Sequence, residues 1–136
     1  MTGSADTAQR FLALHQADAP LLLPNAWDAG SAKLFQALGF DAIATTSAGH
    51  AATLGRVDGK VTRDEALAHA RDLVDAVGLP VSADFENAFA DAPVDVAANI
   101  TLAVETGLAG CSVEDYDGTA LYDAALATER VAAATE

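Results

Sequence analysis

Short apolar runs alternate with longer amphipathic segments along the chain. The first amphipathic segment predicts a leading helix over residues 6–17. Apolar runs that predict strands follow at residues 21–25, 41–45, 79–83 and 110–113. These runs show no regular alternation of apolar and polar residues, which is typical of parallel strands covered on both faces. A segment with helical character follows each run, so the pattern predicts four βα units after the leading helix.

The predicted helices have recognisable starts. Thr62 and Glu65 have the spacing of a capping box, in which each side chain bonds a backbone N–H of the other residue. Asp28 and Asp123 precede two other helices as N-caps, and Pro93 suits a first helical turn. The predicted helices after the leading one cover residues 29–38, 63–77, 94–106 and 124–136.

The spacing of the units predicts the fold class. Strand ends fall near Asn25, Thr46, Asp84 and Glu114, as expected for an α/β protein with a parallel sheet. The same pattern is half of an eight-stranded (β/α)₈ barrel of the TIM type, with only about the first four βα units present. Half a barrel leaves its inner face and two sheet edges uncovered. We therefore expect residues 1–136 to be a single partial barrel domain and the chain to be truncated.

Composition and charge exclude several partners. The 136 residues carry a net charge of −13, which repels nucleic acid and anionic membranes, so neither is expected to bind. No apolar run is long enough for a transmembrane helix and no secretory leader is visible, which predicts a cytoplasmic location. The single cysteine, Cys111, lies within an apolar run and is expected to be a buried hydrophobic residue without an internal disulfide.

Acidic residues follow two neighbouring predicted strands. Asp84 and Glu86 stand two residues apart at the end of one strand, so alternation of side chains along a strand directs both to one side. Glu114 follows the next strand, and Asp115 is expected to face away from it. Carboxylate oxygens are the ligands that Mg²⁺ prefers, so the pattern favours a magnesium site. The alternative is that these acids cap the helices that follow.

The connection after the second strand is long enough to do more than join two elements. We predict a loop of small residues over 46–50 that continues through residues 55–59. The backbone N–H groups of Ser47, Ala48 and Gly49 could bind a carboxylate or phosphonate, although an ordinary tight turn explains the same residues equally well. Considered alone, Asp58 would be interpreted as a turn residue. His50 is expected in the exposed loop or at the site edge, without a catalytic role.

Taken together, five motifs make the chain similar to the isocitrate lyase/phosphoenolpyruvate mutase superfamily. They occur in the family's order and spacing, and the similarity runs from about Leu21 to the end. The motifs are Pro24–Ala32, Thr45–Gly49, Asp58–Gly59, Ser82–Asn87 and Ser112–Asp115.

The resemblance implies a barrel that binds Mg²⁺ and a small carboxylate, a 2-oxo acid or a phosphonate. It implies a C–C or P–C bond lyase, or a phosphonomutase-like enzyme, that acts through an enolate, and a homo-oligomer in full-length form. Asp84 matches the direct metal ligand, and Glu86 and Glu114 match acids that hold the ion directly or through water. The residues Ser47, Ala48 and Gly49 match the segment that binds the substrate carboxylate. Asp58 matches an acid near the reacting centre.

The sequence departs from the family pattern in two places. Glu86 stands where the family usually has aspartate, and Ala88 and Ala90 stand where glycines are usual, which bears on how closely backbone and ligand approach. Residues 116–120 lack the Cys, Lys and His of the lyase gating loop, and the loop of the mutase branch is also missing. The resemblance therefore names a superfamily without choosing the reaction.

Two other classes of protein compete with an enzyme of this kind. A signalling receiver domain also has acids at strand ends, but it would need paired acids after the first strand and a fifth strand, neither of which is present. A non-catalytic fragment that associates through its open barrel edge stays an alternative.

Overall fold

The structure, a computed structural model, describes residues 3–135, and helices alternate with short strands over this range. No helix among these residues is long and apolar enough to cross a membrane. The helices are α1 (Gly3–His15), α2 (Ala29–Ala37), α3 (Ser47–Thr53), α4 (Arg63–Ala76), α5 (Pro93–Glu105) and α6 (Ala124–Thr135). The strands are β1 (Asn25–Ala26), β2 (Ile43–Thr45), β3 (Val81–Asp84) and β4 (Gly110–Ser112).

The four strands form one parallel sheet in the order β1-β2-β3-β4. Asn25 pairs with Ala44, and Ser82 pairs with Gly110, so each strand lies beside the strand of the next βα unit. The predicted α/β class with a parallel sheet is confirmed. All four strands end at the same edge, where the candidate site residues lie. Within the described residues β1 and β4 are edge strands, and association through these edges stays a hypothesis.

The core lies between the sheet and the helices that cover it. Ile43 and Val81 are fully buried on the sheet, and Leu73 of α4 and Val96 of α5 pack against them. Each fully buried side chain of this size stabilises the fold by about 1.5–3 kcal/mol. This packing fixes the strand ends relative to one another and hence the residues that follow them.

Local sequence signals place the helix starts. Thr62 Oγ1 accepts a hydrogen bond from the Glu65 N–H, and the Glu65 carboxylate accepts one from the Thr62 N–H at 2.9 Å. Asp28 caps α2 by accepting from the Ser31 N–H at 2.7 Å. Asp123 Oδ1 accepts from two N–H groups at the start of α6, and Pro93 occupies the first turn of α5. The predicted starts of α2, α4 and α6 are confirmed, and α5 begins one residue before the predicted start. The predicted end of the last helix, Glu136, lies outside the described residues.

Two predicted elements near the N-terminus are wrong in their bounds. The leading helix runs from Gly3 to His15 and not over residues 6–17. The predicted first strand over residues 21–25 is reduced to Asn25–Ala26, and Leu22 is 71% exposed. Pro24 accepts a ladder hydrogen bond from the Ala44 N–H but has no N–H of its own, so pairing begins only after it.

The predicted loop over residues 46–50 is in fact the start of helix α3. Thr46 is its N-cap, and the Thr46 hydroxyl accepts a hydrogen bond from the Gly49 N–H at 3.3 Å. The helix contains several alanines, which have high helix propensity. Gly55 and Gly59 have positive φ angles of 68° and 71°, so the connection beyond α3 is a loop, as expected.

Candidate active site

A cavity of about 560 Å³ lies beyond the ends of the strands. Four of its lining residues are acidic and one, Lys60, is basic. The cavity brings together Ser47, Glu86 and Glu114 with Asp58, which is exposed on the loop before α4. Asp117 is the fourth acid. Sequence reasoning missed Lys60 and Asp117, because nothing local marks their loops as facing the strand ends.

Asp84 is the last residue of β3 and is held by the start of α3. Its Oδ2 accepts hydrogen bonds from the Ser47 N–H at 2.8 Å and from the Ser47 hydroxyl at 2.7 Å. The Asp84 N–H donates to Thr45 Oγ1 at 2.9 Å. Asp84 lines a narrow space of about 20 Å³ that Ser47 and Glu86 also line, next to the larger cavity. Neighbouring β2, α3 and β3 therefore fix the Asp84 carboxylate.

Glu86 lines the cavity as well, but the alternation of side chains along a strand, on which its direction was predicted, does not explain its position. β3 ends at Asp84 and Glu86 has a φ of 48°, so strand alternation does not set the direction of its side chain. The Glu86 carbonyl accepts a hydrogen bond from the Glu114 N–H at 2.8 Å. This main-chain bond ties the segment after β3 to the segment after β4, and it places two of the predicted metal ligands on adjoining backbone.

The acidic side chains repel one another. The pKa of Glu86 lies above its ordinary value because of burial first and then the negative charges of nearby Asp58, Asp84 and Glu114. The pKa of Glu114 is also raised, by desolvation and then by Asp84 and Asp58. Each carboxylate would be more easily ionised if a cation lay among them. The excess of negative charge is thus a feature of the folded site.

The donor atoms fit a hard divalent cation in kind and in charge. Within residues 3–135, however, no three acidic, histidine or cysteine side chains converge closely enough to surround an ion. Mg²⁺ usually keeps several waters and takes only one or two protein carboxylates, so a closed cage of side chains is not required. The assignment of Asp84, Glu86 and Glu114 as ligands of such an ion stays a prediction.

The predicted carboxylate-binding segment is only partly free. The Ser47 N–H donates to Asp84 and the Gly49 N–H donates to Thr46, so two of the three N–H groups already have partners. Ala48 lies exposed at the start of α3. Gly49 is buried, and a Cβ placed on it would lie 2.7 Å from the Trp27 ring. The role of these three residues in substrate binding stays a prediction.

The segment after β3 has an unusual backbone. Besides Glu86, Ala88 and Phe89 also have positive φ angles, of 58° and 56°. Left-handed backbone costs a non-glycine residue on the order of 1 kcal/mol. Ala88 is one of the positions where the family usually has glycine. Other contacts must therefore hold this segment, which we call the 86–91 loop.

A buried arginine that the sequence reasoning missed contacts this loop. Arg130 of α6 is 1% exposed, and its guanidinium donates to the main-chain carbonyls of Asn87, Ala90 and Asp91. The guanidinium carbon lies 4.0 Å from the centre of the Tyr122 ring. Arg130 stands among alanines in a helix, and no local pattern distinguishes it from a solvent-exposed arginine.

The segment after β4 forms a compact turn at the mouth of the cavity. Asp117 Oδ1 accepts hydrogen bonds from the Thr119 and Ala120 N–H groups, at 2.6 and 2.7 Å, which lower the pKa of Asp117. Tyr116 and Leu121 pair as an isolated antiparallel bridge. A short turn therefore forms residues 116–120, the segment that the resemblance matches to the lyase gating loop.

His50 lies in α3, so its expected place in an exposed loop is wrong, but it lines the narrow space that Asp84 also lines and thus stands at the site edge, the other place expected for it. Its ring stacks on that of His69, with 3.7 Å between the centroids, and its two nitrogens are buried without a hydrogen-bond partner among the described residues. His69 Nε2 lies 3.0 Å from the Trp27 carbonyl, which can only accept, so Nε2 carries the proton. Burial disfavours the charged form of both rings, and the bond to the Trp27 carbonyl offsets this only in part for His69.

The stacked histidines should make stability depend on pH. Burial is the largest cause that lowers the pKa of both imidazoles below 6.5. The charge of Arg56 lowers the pKa of His50 further, whereas Glu65 and Asp72 raise it. His50 lowers the pKa of His69 further, whereas Asp72 and Asp28 raise it. Below about pH 6.5 the unfolded chain therefore binds more protons on these groups, and their contribution to stability falls.

The variant His50→Phe tests this dependence. It keeps an aromatic ring against His69 and removes one titrating group. Between about pH 7 and pH 5 we expect its free energy of unfolding to decline less, or to rise more, than that of the wild type. Urea unfolding at closely spaced pH values measures the difference, in which contributions from carboxylates cancel. Parallel profiles for the two proteins would contradict the prediction.

Cys111 is half-buried on β4, and burial raises the pKa of its thiol. A raised thiol pKa disfavours the reactive thiolate at neutral pH. This agrees with the expectation that Cys111 is a packing residue and not a nucleophile.

The fold and the site together define a class of protein, a βα-repeat protein of barrel type with an acidic site at the carboxyl ends of its strands. Comparison with known families gives the finer assignment. The model of the phosphoenolpyruvate phosphomutase family matches residues 11–136. The chain belongs to this family, within the PEP mutase/isocitrate lyase superfamily.

Individual relatives agree with this assignment. A Mycobacterium tuberculosis protein of uncharacterised function, Rv1998c, is 39% identical over 124 residues, which are 90% of this chain and 46% of the relative. The 2,3-dimethylmalate lyase of Eubacterium barkeri is 36% identical over 81% of this chain and 38% of its own length. A crystal structure from Burkholderia cenocepacia J2315, provisionally named a lyase/mutase, has a TM-score of 0.95 at 47% identity and covers 98% of this chain.

The matches span most of this chain but only part of each relative. The Burkholderia chain is matched over 49% of its length, and the chain spans less than half the length of the curated relatives. The structural relatives are TIM-barrel proteins that are matched over about half their length. The predicted barrel-type fold with about four βα units is confirmed at this level.

Proposed function

We propose that this chain forms the metal- and carboxylate-binding half of a Mg²⁺-dependent lyase or phosphonomutase-like enzyme. The reaction would break a C–C or P–C bond of a small carboxylate and yield a 2-oxo acid through its enolate. The observation that carries the proposal is the group of acids around one cavity at the strand ends, with Asp84 fixed by α3. Relatives named 2,3-dimethylmalate lyase and 2-methylisocitrate lyase support a small carboxylate as substrate.

We assign different roles to the three acids proposed as metal ligands. Asp84 is the most firmly oriented, so we assign it the direct contact with Mg²⁺. Glu86 and Glu114 would hold the ion directly or through water, and their mutual repulsion disappears when a cation is present. Bound Mg²⁺ supplies positive charge beside the oxygen that becomes negative as the bond breaks.

The start of α3 is the side of the cavity that we assign to the substrate carboxylate. Ser47 orients Asp84 through both its N–H and its hydroxyl, so it links the metal ligand to this helix. Ala48 is exposed, and we assign its N–H to a bound anion, while Gly49 lets the helix approach Trp27.

Asp58 and Lys60 approach the cavity from the loop before α4. Asp58 is the residue that we assign to the reacting centre, where a carboxylate can accept a proton and return it. Lys60 is the basic lining residue within the described chain and would offset part of the negative charge when an anion enters.

Thermal unfolding of this chain tests the proposal. Mg²⁺ and oxalate, a stable mimic of an enolate, should together raise the midpoint more than either does alone. At ligand concentrations of about 100 times the dissociation constant the gain is about 2.7 kcal/mol, or roughly 10 °C for a chain of this size. NaCl at matched ionic strength controls for screening of the acids, and acetate controls for a single carboxylate. A cooperative transition that neither ligand shifts would refute the site.

A further inference from the structure

We infer that Arg130 is a positioning residue that holds the 86–91 loop, and through it Glu86, in the geometry of the acidic site. The inference rests on the proposed function for the role of Glu86 but on separate contacts for the role of Arg130. Arg130 lies on α6, outside the lining of the cavity, and touches none of the three proposed metal ligands in the contacts described.

The buried guanidinium is matched to main-chain carbonyls instead of to an acid. Its Nη1 donates to the Asp91 carbonyl at 3.0 Å and to that of Ala90, and its Nη2 donates to the Asn87 carbonyl at 2.7 Å. No salt bridge to Arg130 occurs within residues 3–135. A planar group with several fixed donors can bond three carbonyls at once, which a lysine ammonium at the end of a flexible stem does poorly. The Arg130 side chain therefore stabilises one backbone conformation of the loop.

Side chains around Arg130 form further hydrogen bonds that stabilise the same loop conformation. Tyr122 lies under the guanidinium, and its hydroxyl donates to Asp91 Oδ1 at 2.5 Å and accepts from Asn87 Nδ2 at 3.0 Å. Asn87 Oδ1 in turn accepts from the Phe89 N–H at 3.0 Å. Arg130 and Tyr122, which we call the Arg130 cluster, thus bond Asn87, Ala90 and Asp91, and Asn87 is the residue directly after Glu86.

The loop needs such support because its backbone is strained. Three residues without the freedom of glycine have left-handed φ angles, and Glu86 is the first of them. On the other side of the loop, buried Asn99 donates to the Ala88 carbonyl at 2.8 Å. If the Arg130 cluster is lost, the loop can relax toward commoner backbone angles, and the Glu86 carboxylate then moves relative to Asp84 and Glu114.

The test compares variants that lose stability in different places. Arg130→Met removes all donors and keeps an unbranched apolar side chain, whereas Leu73→Ala weakens the core on α4 and removes none of the hydrogen bonds of the loop. Tyr122→Phe is a milder variant that keeps the ring and removes two hydrogen bonds, and it serves if Arg130→Met does not fold. All are measured at a temperature where circular dichroism shows them to be folded.

Two readouts separate positioning from simple stability. Amide hydrogen exchange of residues 86–91 reports the loop, and Mn²⁺ binding measured by electron paramagnetic resonance reports the acidic site. In Arg130→Met we expect faster exchange in the loop than in Leu73→Ala, and about tenfold weaker Mn²⁺ binding. Tyr122→Phe should shift both readouts in the same direction by less.

Each outcome decides one part of the inference. Loop exchange and Mn²⁺ affinity equal to those of Leu73→Ala would overturn it. Faster exchange with unchanged Mn²⁺ affinity would also overturn it, because Arg130 would then support the loop without placing Glu86. If the wild type itself does not bind Mn²⁺, the proposed metal site fails, and the exchange experiment alone then decides whether Arg130 holds the loop.

Discussion

Asp84→Asn is expected to abolish the joint effect of Mg²⁺ and oxalate on the unfolding midpoint. The asparagine amide has nearly the shape of the carboxylate and can still accept a hydrogen bond from Ser47, so the contact with α3 is kept. It carries no charge, however, and a neutral oxygen is a much weaker ligand for Mg²⁺. The measurement is the midpoint with and without both ligands, which should differ by roughly 10 °C in the wild type and by less than about 1 °C in the variant.

Asp115→Asn is the matched control for this substitution. Asp115 is an exposed acid next to Glu114, and it does not line the cavity. The same loss of one charge at this position should leave the response to ligands almost unchanged. The ligand-free midpoint of Asp84→Asn should not fall, because one source of the repulsion on Glu86 and Glu114 is removed. A wild-type response in Asp84→Asn would refute its assignment as the direct metal ligand.

Gly49→Ala is expected to destabilise the chain by about 2 kcal/mol or more, the scale of overpacking in a buried site. A Cβ at this position would lie 2.5 Å from Thr46 Cγ2 and 2.7 Å from Trp27 Cδ1. Both distances are too short for a real Cβ, so one of the neighbouring groups must shift. Either α3 must shift away from Trp27, or the tryptophan ring must turn into solvent.

The single tryptophan of the chain reports which of these happens. Urea unfolding gives the loss of stability, and the emission maximum of Trp27 gives the change around the ring. Gly78→Ala is the matched control, since its nearest neighbour would be Gln36 Oε1 at 3.8 Å and it should cost only a few tenths of a kcal/mol. Equal stabilities and emission maxima for the two variants would contradict the close approach of α3 to Trp27.

Structural features that depend on residues close together in the sequence were predicted correctly. Thr62 and Glu65 bond each other within one helical turn, and Pro93 fits the first turn of α5, so neither depends on distant parts of the chain. The repeat of βα units predicts a parallel sheet because short crossover connections allow little else. The ends of parallel strands meet at one edge, which is why Asp84, Glu86 and Glu114 were expected to be neighbours.

Features that depend on distant partners were not predictable in the same way. The small residues of α3 suit a loop equally well, and the helix follows from the Thr46 cap and from close packing on Trp27. His50 is buried only because α4 presents His69 to it. The direction of the Glu86 side chain follows from a left-handed backbone angle. Strand alternation predicted that Glu86 lies near Asp84, but it does not account for the backbone that places it there.

The distance along the chain between Arg130 and its partners has a consequence for synthesis. Arg130 follows the carbonyls that it bonds by 39 to 43 residues. Domains form from the N-terminus as the chain leaves the ribosome, and each strand of this sheet can pair once the next βα unit has emerged. Asp84 and Glu86 therefore emerge well before Arg130, which we infer holds the 86–91 loop. A nascent chain can have its sheet in place while the proposed cation site is unfinished, and we expect it not to capture metal ions until α6 has docked.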